Sequence, residues 1–436
     1  MKVLLINSVC GIGSTGRICT DLAQQFEAAG DKVKIAYGRK GTVPEQFQKY
    51  AVRIGTDWDC KMHAIQTRLF DTHGFGSKQA TKEFLQWAEE YKPDLLWLHN
   101  IHGYYINVEM LFAWIKKHPE MQVKWTLHDC WAFTGHCSYC SQLRRYPACY
   151  AMSSVRRNFA RKRAAFTGVP NLTLITPSKW LADLVKQSFL KEYPVEVHYN
   201  TIDTTIFKPT PSDFRERYGL QDKIIVLGVA NVWEDRKGLF DFYKLAEMLD
   251  DHYAIVLVGL SEKQTENLPK NIKGIQRTNS PKELAAIYTA ADVFVNPSVE
   301  EIFGMTPVEA QACSTPSIVY EDTACADVAE QNGNKVVPQD VNALYKAITG
   351  EKFMRGGKKH SKKRGCTIVA IPRTNSPQEL AEIYTAADIF ANPTYEDNYP
   401  TVNLEAQACG TKVVTYDTGG CRETLIPSLL GQTAFQ

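Results

Sequence analysis

Short, continuous apolar runs recur along this chain with no polar alternation inside them, and that constrains the fold more than any other feature. Residues 3–6, 33–37, 95–98, 123–127 and 172–175 form one series, and residues 224–229, 254–258, 293–295 and 318–320 form a second. Runs of this kind suit strands buried on both faces of a parallel sheet. Between them lie segments of helical period, at 20–29, 239–249 and 281–290. The last of these is expected to open with Ser280 as cap and Pro281 as its first helical residue. Strand and helix in alternation mean βαβ units and doubly wound sheets. The 436 residues accommodate two such domains, and the mixed signals of residues 177–211 mark the hinge. The chain therefore reads as α/β, with one Rossmann-like domain over 1–177 and a second over 178–350.

Fifty basic and forty-eight acidic residues leave a net charge of +2, which excludes a strong global attraction to nucleic acid or membrane. No apolar run approaches the roughly 18 residues of a membrane span. The run at residues 3–6 breaks at Asn7 and reads as a strand, not as the apolar part of a signal peptide. Twelve scattered cysteines without such a signal suggest reduced thiols in a cytoplasm.

The two-domain plan leaves one region over. Residues 277–320 and 373–416 both open Arg-Thr-Asn-Ser-Pro and match at 25 of 44 positions, at an offset of 96. Two units fall short of a repeat array, so residues 373–436 read as a partial duplicate of 277–340. Residues 351–372 read as a basic linker and strand. The lysine-rich stretch 355–364 is either a solvated linker or a contact for an anionic membrane.

Several motifs carry candidate chemistry. Gly11, Gly13 and Gly16 form a G-x-G-x-x-G pattern after the first strand, which lets the backbone approach a phosphate at a helix start. A dinucleotide site would also need an acid about 20 residues on. Tyr37-Gly38-Arg39-Lys40 supplies none, and a tight strand-to-helix turn with no ligand is the other reading. His128, with His99 and His102 at the end of the preceding strand, faces a ligand or is satisfied within the fold. His136, Cys137 and Cys140, with Cys130 and Cys149 nearby, read either as a structural metal site or as free thiols in a loop. Residues 156–163 (Arg-Arg-Asn-Phe-Ala-Arg-Lys-Arg) form a solvated helix face, or a patch for anionic lipid heads or a phosphate-bearing acceptor. Arg236 and Lys237 sit before a helix and suit an anion, or are surface charges. Glu301 and Glu309 bracket Phe-Gly-Met-Thr-Pro. Thr306 as N-cap would make Glu309 a capping-box acid, leaving Glu301 unexplained beside the amides of residues 304–306.

Taken together, these pieces resemble the retaining glycosyltransferases of family four, and within them the sugar transferases of bacterial exopolysaccharide clusters of the colanic-acid type. The acid-x7-acid motif from Glu301 to Glu309, with its Ala-Gln-Ala-Cys helix, is the most specific element. Thr176-Pro-Ser-Lys-Trp and the stretch from Tyr199 to Pro209 are similar to the interdomain signature. The resemblance implies the GT-B fold, two Rossmann-like domains facing a cleft. It implies a nucleotide-diphosphate sugar as co-substrate, no cofactor and no metal. The partner would be a saccharide or lipid-linked acceptor, with no nucleic acid. The setting would be cell-surface polysaccharide synthesis, in the cytoplasm or peripherally on the inner face of the membrane.

Carried over by position, Glu309 would bind the nucleotide's ribose hydroxyls and Glu301 the transferred sugar. The amides of Gly304, Met305 and Thr306 would hold sugar and phosphate oxygens, and Arg236 and Lys237 the diphosphate. His128 would touch the sugar beside the reacting carbon. The loop bearing Gly11, Gly13 and Gly16 would lie against the diphosphate or acceptor. Asn231 stands where many members carry an arginine. The duplicate keeps Asp397 and Glu405 but has Pro400 in place of Gly304, so it reads as a scar of recombination and not as a second active site. Two rival readings are a catalytically inactive fusion of two transferase genes and a dinucleotide-dependent oxidoreductase.

Overall fold

A computed structural model of the chain describes residues 1–39, 42–139, 153–266, 268–331, 334–350, 376–387, 389–392, 401–409, 411–416, 424–425 and 433–435. The first series of apolar runs becomes strands β1 (Lys2–Asn7), β2 (Lys32–Tyr37), β4 (Leu95–Leu98), β5 (Gln122–Thr126) and β6 (Leu172–Thr176), joined by β3 (Ala51–Arg53) and β7 (Val195–Val197). All pair in parallel, in the order β3-β2-β1-β4-β5-β6-β7. Leu4, Ile6, Leu96 and Leu98 are wholly buried at its centre, as helices packed on both faces require.

The second series becomes β8 (Ile224–Val229), β9 (Tyr253–Val258), β10 (Ile272–Ile275), β11 (Val293–Asn296), β12 (Ser317–Tyr320) and β13 (Lys335–Val337). Their parallel order is β10-β9-β8-β11-β12-β13. In both sheets the strand order therefore reverses once, between β1 and β4 in the first and between β8 and β11 in the second. Crevices for ligands open beyond the strand ends at such points.

Four strands have no counterpart among the apolar runs: β3, β7, β10 and β13. They are the outer strands of the two sheets, and each is partly exposed. An edge strand needs only one buried flank, so its sequence need not be apolar throughout. The position of β7 also moves the expected domain boundary. Residue 177 falls inside the first sheet, between β6 and the helix Lys179–Lys186, and the sheet ends only at Val197.

The chain divides into two compact units, Met1–Lys359 and His360–Gln436. Within the first unit, the two sheets meet through the chain that leaves β6. Ser178 caps the helix Lys179–Lys186 and its hydroxyl donates to the carbonyl of Ile302 at 2.7 Å. The Trp180 amide donates to Asp327 at 3.0 Å and its indole to the carbonyl of Asp322 at 2.9 Å. In the second unit, β14 (Ile389–Asn392), β15 (Lys412–Tyr416) and β16 (Thr433–Phe435) form a parallel sheet in that order. The basic stretch 355–364, Asp397 and Pro400 lie outside the described residues. Among the described residues, no helix is long and apolar enough to cross a membrane.

Candidate functional site

In the second sheet, the polar groups gather where β8 and β11 end. After β8 comes a single helical turn, Asp235–Lys237, and then Gly238 in the left-handed conformation, opening the helix Leu239–Met248. A side chain at position 238 would run into the Pro297 carbonyl, so glycine is what lets the two strand ends come together. After β11, Gly304 (φ 79°, ψ 77°) opens the helix Met305–Ala312. A side chain there would run into the Cys325 sulfur. Neither helix start carries a side-chain cap. Two helix N-termini, each the positive end of its dipole, thus lie at the crevice.

The two expected cations sit between them. Lys237 Nζ hydrogen-bonds and ion-pairs with Glu301 Oε1, and the Ser298 hydroxyl donates to the same oxygen at 3.3 Å. Arg236 donates to the Glu300 carbonyl at 3.3 Å and to Glu234 at 3.0 Å, and stands 4.0 Å from Glu301. Its guanidinium lies 4.1 Å from the ring centre of Tyr139, a residue of the first sheet's side. Burial pushes the Tyr139 phenol up to about 12, against the pull of Arg236. The structure therefore brings together Arg236, Lys237, Glu301 and the Gly304–Thr306 turn.

Glu309 departs from expectation in its local role. The helix begins one residue before Thr306, because Gly304 can take the positive φ that ends the preceding loop. Thr306 is thus not the N-cap, and Glu309 lies too far along the helix to close a capping box. Its carboxylate accepts from the Tyr288 hydroxyl at 2.9 Å. Burial raises the Glu309 pKa above the usual glutamate value, and the Tyr288 hydrogen bond opposes that rise.

The first sheet presents its own set beyond β1, β4 and β5. Gly11 (φ 72°) and Gly13 (φ 65°) make the turn, and the helix Gly13–Ala28 starts there, well before residue 20. A side chain on Gly16 would press on Val9 at 3.1 Å, so this glycine serves the close approach of turn and helix. Asn7 joins the crevice's two lips: its amide donates to Val9 and its carbonyl accepts from the Asn100 amide.

His128 Nε2 lies 3.2 Å from His99 Nδ1, with the rings stacked. Burial drops the His128 pKa to about 4, Asp129 opposing, so at neutral pH it is an uncharged imidazole. The next residue forms a pair that the sequence reading did not single out: Asp129 Oδ2 and His102 Nε2 are 2.8 Å apart. Burial works to raise the Asp129 carboxyl, yet His102 and the Trp131 amide hold it below the usual range.

Two other motifs resolve differently. The basic run lies on the helix Ser153–Phe166, but it is not one solvated face. Lys162 is wholly buried, donating to the carbonyls of Trp131 and Thr134 at 2.8 and 3.1 Å. Arg161 pairs with Glu109 at 2.6 Å. In the cysteine cluster, His136 Nδ1 contacts Asp71 at 2.7 Å, and Cys140 and Cys149 lie outside the described residues. Among the described residues, no three His, Cys, Asp or Glu side chains are grouped to hold a metal.

Two doubly wound sheets with such strand ends define the GT-B class of glycosyltransferase architecture. The model of the family glycosyl transferases group 1 matches residues 212–361 and 348–431, together half of the chain, and the chain belongs to that family. It is 31% identical over 174 residues to the alpha-galactosylglucosyldiacylglycerol synthase of Streptococcus pneumoniae, covering 36% of this chain and 45% of the synthase. It is 22% identical over 365 residues to the putative colanic acid biosynthesis glycosyl transferase WcaC of Escherichia coli, covering 78% of this chain and 88% of WcaC. Several of the curated relatives, the pneumococcal synthase among them, are matched over less than half of their own length. The fold is that of sucrose-phosphate synthase from Thermosynechococcus elongatus, with a TM-score of 0.59 at 19% identity over 80% of this chain and 88% of that one. Family membership, with the missing acid after β2, counts against the oxidoreductase reading.

Proposed function

We propose that the chain transfers a sugar from a nucleotide-diphosphate donor to a saccharide or lipid-linked acceptor, with retention of configuration and without a metal ion or cofactor. The observation that carries this reading is the meeting of Arg236 and Lys237 at Glu301, in loops that lead into two helices without side-chain caps. Breaking a sugar–diphosphate bond builds negative charge on the leaving oxygen, and fixed cations and helix N-termini stabilise it without reorganising. Glu301 then takes the sugar's hydroxyls, Glu309 the ribose, and the neutral His128 a hydroxyl beside the reacting carbon. The Gly11–Gly16 turn lies against diphosphate or acceptor. The two domains straddle the donor and exclude the water that would hydrolyse it. The similarity to WcaC supports an acceptor in surface-polysaccharide synthesis at the cytoplasmic membrane.

Calorimetric titration with UDP and then GDP tests the donor site, and transfer from the matching nucleotide sugar in the presence of EDTA tests the chemistry. Retention is read from the anomeric proton coupling of the product. Nucleotide binding with no transfer to any saccharide acceptor would favour the inactive fusion; no binding by folded protein would sink the reading.

A further inference from the structure

The helix Asp57–Phe70 is inside out. Its buried side carries His63 and Thr67, while Trp58, Ile65, Leu69 and Phe70 are 67%, 46%, 69% and 64% exposed, and Met62 is exposed as well. At 100° per residue, Trp58, Met62, Ile65 and Leu69 fall within about 60° of one another around the helix axis. Half of the exposed large apolar side chains of the described residues thus lie on this one helix. A stripe of this kind is not explained by packing within the fold.

Its flank is cationic. Lys61 and Arg68 are exposed beside the stripe. The Arg157 guanidinium donates to the Phe70 carbonyl at 2.9 Å, and Asn158 donates to that of Asp71 at 2.6 Å. These bonds fix the helix Ser153–Phe166 against the stripe's end, with Arg156 and Arg157 exposed. The nearby acids are engaged: Asp57 with Arg53, Asp59 in the helix's own capping box, and Asp71 with His136.

We infer that this face docks on an anionic lipid bilayer, the helix lying in the plane of the interface with its stripe among the acyl chains and the arginines at the headgroups. Charge complementarity selects this occupant, because Lys61, Arg68, Arg156 and Arg157 flank the stripe while the nearby acids are engaged, the pattern that an anionic headgroup layer matches. The inference rests on the lipid-linked acceptor proposed above and names the surface that brings the enzyme to it.

Flotation of the full chain with phosphatidylcholine vesicles, with and without phosphatidylglycerol, tests it. Binding is expected only to the anionic vesicles. The double variant Ile65→Glu/Leu69→Glu should bind at least about tenfold more weakly, and Arg156→Ala about fivefold more weakly, each basic residue near the surface contributing on that scale. Both variants should bind nucleotide as the parent does. Equal binding by the parent and the double variant would overturn the inference, as would no binding to anionic vesicles. Self-association of the parent that the double variant abolishes would also overturn it, in favour of a dimer. Vesicle binding without nucleotide binding would instead reject the donor site and leave this surface standing.

Discussion

The helices Pro281–Ala290 and Pro377–Ala386 start identically. Each is capped by a serine, Ser280 or Ser376, that accepts from the amide of the following glutamate. The strands after them pair in the same register, Phe294 with Ser317 in one copy and Phe390 with Val413 in the other. The same edge-on tyrosine–phenylalanine contact recurs, at 5.6 and 5.2 Å. The copies part where the site would be. At position 307 a proline sits in the helix's first turn; its counterpart Asn403 is wholly buried. There Asn403 accepts from Asn392 and donates to Thr424, while Gln407 donates to the carbonyls of Asn403 and Thr424. Where the first copy has a proline in a helix that starts beside two cations, the second buries a network of side-chain amides. The shared cap, register and ring contact thus maintain the scaffold, whereas residues 301–308 differ from their counterparts at every position.

Breaking the first copy at Lys237 should have the largest effect. Lys237→Ala is expected to lower turnover by about 10²–10³, as loss of one fixed donor to a developing oxyanion does, with nucleotide affinity changed far less. Steady-state kinetics with the matching nucleotide sugar decides it. Next, Glu309→Ala should weaken nucleotide binding by about ten- to a hundredfold, the scale of a lost charge-assisted hydrogen bond. Glu405→Ala should leave binding unchanged in the same titration. Equal losses from both would erase the proposed division between the copies.

Two smaller effects sharpen the contrast. Gly304→Ala puts a side chain into a left-handed turn and against Cys325, so the melting temperature should fall by a few degrees, a strain of about 2 kcal/mol. Glu309→Gln should give a slight gain in stability near pH 7.5. The Glu309 carboxyl titrates higher in the folded chain than when unfolded, so the folded chain holds the extra proton. Its contribution is fully present below the unfolded value and is lost as pH rises through the folded one. The gain from glutamine should therefore vanish on acidification past the ordinary glutamate range, as melting curves at successive pH values would show.

The interior of each sheet was legible in the sequence, since strands covered on both faces must be apolar throughout. The edge strands were not, because Lys335 or Glu196 can point to solvent there. That Arg236 and Lys237 stand before a helix was legible; that Lys237 meets Glu301, 64 positions on, was not. The Tyr288 hydroxyl on Glu309 and the His102–Asp129 pair were not, since they join residues 21 and 27 positions apart that only the packed sheet brings together. The start of the helix at Met305 hung on one glycine's φ, which residue type permits but does not dictate. The helix Asp57–Phe70 was hidden for a different reason: periodicity shows that a helix has an apolar side, not which way it faces.

The ion pair between Lys237 and Glu301 ties up one of the two cations of the crevice. A free phosphate arriving there would draw the lysine away and leave the glutamate with the more distant Arg236 and the Ser298 hydroxyl, a weaker set of partners. Only a molecule that offers phosphate oxygens to one and hydroxyls to the other, at the span between the two side chains, replaces what it displaces. In the proposed enzyme, selection of an intact sugar nucleotide over the phosphates that crowd a cell would thus be written into a lock that the protein closes upon itself.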